Sequence, residues 1–258
     1  MSSEQLQAQS QAGQVASNIQ LEIYRLIKPG VNLLQINELV VNELKKARMT
    51  PAFLGFEGYP AACCLSVNEE VVHAIPRSRV LEKGDIVSVD IGIKNKGWIV
   101  DMARTFPVGN ISQRDHQLLQ GTARALDLAI ITAGTDPRPS AIGKTIEQTI
   151  TQNQLWVIRD LAGHGVGRSL QEPPSIYNHN NHDKKRLPEG KTIAIEPIIA
   201  AKECQLVVMA DGWTISTADS TNAAQFEDTV MITDDGALNL TRFTEEKIYW
   251  PSLESWQL

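Results

Sequence analysis

The amino-acid sequence predicts an α+β fold built from a duplicated unit, and three observations carry that prediction. Apolar residues recur at helical spacing in two pairs of segments, and strand-like runs sit among them without a strict strand–helix–strand rhythm. No dinucleotide or phosphate fingerprint is present, because Gly163-His164-Gly165-Val166-Gly167 lacks the G-x-G-x-x-G spacing. A doubly wound parallel sheet is therefore not expected.

Residues 1–13 are polar and read as a tail. A helix is predicted from near Gln14 to Ile27, with Val15, Ile19, Ile23 and Leu26 on one stripe and a stop at Pro29-Gly30. A second follows from about Leu34 to Ala47, where Ile36, Val40 and Leu44 repeat every four residues. Strands are expected at Cys63–Val67, Ile86–Ile93 and Trp98–Phe106, the last two forming a hairpin around Asn95-Lys96. The helical pair then recurs, from about Arg114 to Thr132, a break at Ala133-Gly134, and a helix carrying Ile142, Ile146 and Ile150. Strands at Thr192–Ala200 and Gln225–Thr233 complete the pattern. The recurrence reads as an internal duplication, with two helical hairpins that merely look alike as the alternative. Residues 14–244 are expected to form one domain. Residues 245–258, with Tyr249, Trp250 and Trp256, read as a tail whose tryptophans cap the fold.

With 42% hydrophobic and 21% charged residues, the composition is that of a soluble globular protein. No apolar run approaches the ~18 residues of a membrane helix, and the opening MSSEQLQAQSQAGQ is too polar for a secretory signal. A cytoplasmic location is expected. Cys63, Cys64 and Cys204 have no framework spacing, which agrees with a reducing compartment. The formal charge of −6 argues against a broad nucleic-acid face, and Lys184-Lys185-Arg186 reads as a solvated loop.

The chemistry lies in carboxylates placed where apolar residues belong. With Asn95-Lys96 as the turn, Asp90 and Asp101 face each other across the hairpin, and like charges so paired are destabilising. Glu196 sits in the apolar run Thr192-Ile193-Ala194-Ile195, Glu227 stands in a second such strand, and His164 lies among glycines. Singly, each reads as ordinary structure, a solvated strand glutamate or a hydrogen-bonded histidine. Together they demand compensation, since burying unpaired carboxylates costs several kcal/mol each. Two divalent ions balance four carboxylates and leave neutral His164 as a fifth ligand. Oxygen-rich, with one imidazole and no thiolate, such a set suits manganese, iron, cobalt or catalytic zinc. Two such metals can share a water, lower its pKa and polarise a carbonyl, which is hydrolytic machinery.

The motifs around these residues are SVNEEVVHAIP (66–76), LEKGDIVSVDIG (81–92), two aspartates eleven apart, GHGVG, IEP, DGWTI (211–215) and AQFEDT (224–229). In this order, from about Leu26 to Thr241, the chain resembles the type I methionine aminopeptidases of the pita-bread metallopeptidases. The resemblance implies a pseudo-twofold α+β fold, a curved antiparallel sheet flanked by helices. It implies that Asp90, Asp101, His164, Glu196 and Glu227 ligate two divalent metals. Glu196 would double as general acid/base for a bridging water, and His73 would hydrogen-bond the substrate near the scissile peptide. The methionine pocket maps onto Phe56, Tyr59, Cys64, Leu170 and Trp213, whose aromatic faces suit a thioether; ordinary core packing is the other reading of these five. Substrates would be the amino ends of peptides and new polypeptides, with a transient ribosome contact, and a monomer is expected.

One departure stands out. Gln171-Glu172-Pro173-Pro174 places Gln171 where the family has a second catalytic histidine. Its amide can donate a hydrogen bond to a substrate carbonyl but cannot titrate near neutrality, so slow turnover or altered substrate preference is expected. QEPP and FEDTV also resemble Xaa-Pro peptidases, which generally carry a long amino-terminal domain before the catalytic half. A non-catalytic binding protein is the third reading, and retention of all five ligands argues against it.

Overall fold

Helix-forming and strand-forming segments alternate in two similar halves, and each half buries its apolar face in its own core. The structure, a computed structural model, describes residues 2–242; the expected tail with Tyr249, Trp250 and Trp256 lies outside the described residues. In the first half α1 (Ser3–Leu26) and α2 (Leu33–Ala47) cover the hairpin of strands Ile86–Asn95 and Trp98–Pro107, with Ile19, Ile23, Ile36 and Val40 packed in one cluster with Val87, Val89 and Ile91. In the second, α3 (Gln113–Thr135) and α4 (Pro139–Gln152) bury Leu118, Leu126, Ile142 and Ile146 with Ile193, Ile195 and Val230. The sheet there runs in the order Gly236–Asn239, Asp228–Thr233, Thr192–Ile195, Ala162–Gly165, Glu172–Tyr177, all pairs antiparallel. This is the α+β arrangement of paired helices on antiparallel sheets that the sequence predicts.

Helix ends follow local chemistry. Asn32 and Gln35 form a reciprocal capping box at α2, Ser112 Oγ accepts from Asp115 N at α3, and α4 begins on Pro139. The first helix starts at Ser3, so most of the segment read as a polar tail is helical. The buried face of its amino-terminal part consists of Ala8, Gln9, Ala12, Gly13 and Ala16, which carry no apolar stripe to read. Two glutamines do the docking: Gln9 Nε2 donates to Ile99 O at 2.8 Å, and Gln20 Nε2 donates to Val89 O at 2.9 Å. Helix α3 also departs from expectation, because it runs through Ala133-Gly134 to Thr135. Gly134 serves packing instead, since a Cβ there would lie 3.1 Å from the main-chain nitrogen of Ala237.

The hairpin turn is one residue later than predicted. Lys96 (φ 50°) and Gly97 (φ 81°) both take the left-handed conformation that a two-residue type I′ turn requires. Asn95 remains in the strand and donates to Ala8 O at 2.9 Å. Asp90 is therefore opposite Ala103 and Asp101 opposite Gly92. Because this slip is two residues in pairing, both aspartates keep the same face and become diagonal neighbours.

The two long strands expected near the carboxyl end are each broken. Thr192–Ile195 and Ile198–Ala200 belong to different sheets, as do Ala223–Gln225 and Asp228–Thr233. Glu196-Pro197 occupies the first break, where Pro197 has no N–H to give a ladder, and Phe226-Glu227 the second. Both glutamates thus sit where the chain crosses between sheets. Behind Glu227, Arg104 ties the halves together: its Nη2 lies 2.9 Å from Asp228 Oδ1, and its Nη1 donates to Glu227 O at 2.6 Å, with both side chains buried.

Candidate metal centre and its cavity

Each polar side chain of the centre is aimed by a strand or a strand break. Asp90 and Asp101 come from the two hairpin strands, His164 from Ala162–Gly165, and Glu196 and Glu227 from the two breaks. The backbone at His164 runs so close to the next strand that a Cβ on Gly163 would meet Ala194 O at 2.3 Å, which accounts for glycine beside the histidine. His164 Nδ1 lies 3.0 Å from Gly165 O. That bond assigns the ring proton to Nδ1 and leaves the Nε2 lone pair free, 3.6 Å from Glu196 Oε1 and 4.0 Å from Asp101 Oδ2. Burial lowers the His164 pKa, so the ring is neutral.

The carboxylates are crowded and short of partners. Candidate ligand atoms of Asp101, His164 and Glu227 all lie within 4.8 Å of one another. Burial, then the neighbouring acids, pushes Asp90, Glu196 and Glu227 well above the usual carboxylate range, and burial raises Asp101 to about 7. Among the described residues, Asp90 Oδ1 and Glu227 Oε1 are buried with no hydrogen-bond partner. Carboxylate oxygens left so are costly unless a cation meets them. Hard oxygen donors with one neutral imidazole fit divalent ions of the manganese-to-zinc series.

One cavity of about 280 Å³ collects every site residue read from the sequence. The five candidate ligands line it together with His73, Gln171, Phe56, Tyr59, Cys64, Leu170 and Trp213. Tyr59, Cys64 and Leu170 belong to one apolar cluster, with Phe56 and Trp213 half-buried against it. Trp213 meets Tyr59 edge-on at 5.1 Å. The Tyr59 hydroxyl lies 3.0 Å from Cys63 O and 3.1 Å from Ala74 O, and burial, then Cys64, raises its pKa, so it stays a neutral donor. His73 sits at φ 61°, a conformation that costs a non-glycine residue energy, and burial lowers its pKa. Phe53, Glu57 and Gln225 also line the cavity and were missed. Gln225 alone left a signal, standing two residues from Glu227 in AQFEDT.

A buried acid cluster thus stands beside an apolar slot, at the junction of two similar halves, and the chain belongs to metallopeptidase family M24, whose model matches residues 7–234. Within that family it is 40% identical to methionine aminopeptidase 1 of Bacillus subtilis, over 90% of this chain and 94% of that one. The solved methionine aminopeptidase of Thermotoga maritima superposes with a TM-score of 0.91 at 38% identity, covering 94% of this chain and 98% of the other. A prolidase from Pyrococcus furiosus shares the fold, with a TM-score of 0.76 at 22% identity over 93% of this chain and 64% of its own.

Proposed function

We propose that the protein removes amino-terminal methionine from peptides and new polypeptides, using two divalent ions held by Asp90, Asp101, His164, Glu196 and Glu227. The observation that carries this reading is the convergence of five ligand-type side chains on one cavity that also holds an apolar, aromatic slot. Bound ions of this kind supply Lewis acidity, lowering the pKa of water and polarising a carbonyl. The chain's own residues do the rest. Glu196 takes a proton from the attacking water and returns it to the departing amine nitrogen. His73, neutral and fixed in its strained backbone, hydrogen-bonds the substrate near the scissile peptide. Phe56, Tyr59, Cys64, Leu170 and Trp213 take the methionine side chain, and Phe53, edge-on to Tyr59 at 6.5 Å, extends the slot. Sulfur over aromatic edges favours a thioether over a branched aliphatic chain.

Gln171 is exposed at the cavity, where its amide reaches substrate as a hydrogen-bond donor without exchanging a proton. Gln171→His is expected to raise kcat/KM on Met-Ala-Ser roughly 10²-fold, the lower range for a positioned acid–base group. An unchanged rate removes Gln171 as the cause of slow turnover. Among the described residues no helix is long and apolar enough to cross a membrane. Action on nascent chains in the cytoplasm is part of the same proposal, with the exposed Lys184-Lys185-Arg186 as the surface for transient ribosome contact. Release of methionine from Met-Ala-Ser, with Ala-Pro peptides as the control, tests the assignment. Cleavage of Ala-Pro alone favours the Xaa-Pro reading and overturns this one.

A further inference from the structure

We propose that Gln225 is a positioning residue that sorts the oxygens of Glu196 and Glu227, holding one of each and leaving the other for a metal ion. The inference rests on the metal-binding role proposed for those glutamates. Gln225 is buried, and its Nε2 lies 3.3 Å from Glu196 Oε2 and 3.3 Å from Glu227 Oε2. A primary amide has two N–H groups, one for each carboxylate, and carries no charge of its own. The partner oxygens are the ones left over: Glu196 Oε1 is 3.6 Å from His164 Nε2, and Glu227 Oε1 is buried without a hydrogen bond. A single amide therefore bridges two anions that come from separate strand breaks and repel each other.

The main chain that carries this amide is itself anchored. Thr105 Oγ1 accepts from Gln225 N at 3.0 Å and donates to Gln225 O at 2.8 Å, and Ser88 Oγ stands 2.8 Å from the same hydroxyl. With the Thr105 proton committed to Gln225 O, Ser88 is the donor of that last bond. Thr105 and Ser88 are cross-strand partners in the hairpin that bears both aspartates. The carboxylates of the second half are thus registered on the strands of the first, before any ion arrives.

Outer hydrogen-bond partners of metal ligands typically contribute 10–100-fold to affinity. Gln225→Met keeps the shape and removes both donors. In calorimetric titration of chelator-stripped protein with MnCl2, Q225M is expected to bind manganese roughly 10-fold or more weakly than wild type. Its kcat deficit should shrink as manganese is raised, with KM for a Met-peptide little changed; a merely structural lesion would not respond to the ion. Wild-type manganese affinity in Q225M overturns the proposal. Should Q225M not fold, T105V, which loosens the anchor without touching the cavity, is titrated instead, and wild-type affinity there overturns it equally. If wild-type protein binds manganese through these residues but spares Met-peptides, the peptidase reading falls while the role of Gln225 stands.

Discussion

Glu227→Gln is expected to lower kcat/KM on Met-peptides by at least about 10³-fold, equivalent to about 4 kcal/mol of transition-state stabilisation. The substitution keeps volume and hydrogen-bonding shape and removes one of the four negative charges that make the cavity a cation site. The backbone at this position is held independently, since Glu227 N donates to Ala103 O at 2.9 Å and Arg104 braces Glu227 O. The loss should therefore appear in ion binding and turnover, not in folding. A thermal measurement separates the two. Wild-type protein should gain about 2.7 kcal/mol at a manganese concentration 100 times its Kd, because the ion binds only the folded state. E227Q should gain far less at the same concentration. Full activity in E227Q, or an undiminished manganese shift, removes Glu227 from the ligand set.

Arg104→Met should cost about 3–5 kcal/mol of stability in urea unfolding of the chelator-stripped protein, the usual result of leaving one member of a buried pair uncompensated. Arg104 is 1% exposed and Asp228 3%, which places the pair in the regime where desolvation is not screened away. Asp228 would keep the donors Asn239 Nδ2 and Thr241 Oγ1, both at 2.8 Å, but no longer meet the guanidinium. Activity should fall as well, because the same guanidinium holds Glu227 O and so fixes the strand break that carries a ligand. A loss below about 1 kcal/mol, the range of an exposed pair, contradicts this account of how the two halves are joined.

What the sequence shows of this molecule follows from where charge is out of place. Asp90, Asp101, Glu196 and Glu227 are legible because a carboxylate inside an apolar run needs a reason, and His164 because glycines crowd around it. The structure brings them to one cavity. The register of Asp90 and Asp101 was not legible, since Asn95 is a common turn residue and its side-chain bonds to Ala8 O and Gln11 Oε1 join it to a helix distant in sequence. Nor was the amino-terminal part of α1, whose docking surface is alanine and glutamine; amide hydrogen bonds to a neighbouring sheet leave no hydrophobic period. The strand breaks at Glu196 and Glu227 hide inside continuous apolar runs, because both flanks are buried, though in different sheets. Gln225 escaped for a simpler reason. A neutral amide beside an acid is unremarkable in sequence, and its work shows only when the two carboxylates it bridges are seen together.

Four buried acids lining one cavity are costly unless dications join them. Anomalous diffraction at the manganese edge, from crystals of the full chain grown with MnCl2, examines that directly. Two peaks are predicted, enclosed by Asp90, Asp101, His164, Glu196 and Glu227, with Gln225 bonded to the glutamates from behind. No anomalous density at these residues, in protein that still cleaves Met-peptides after exhaustive chelation, would contradict it.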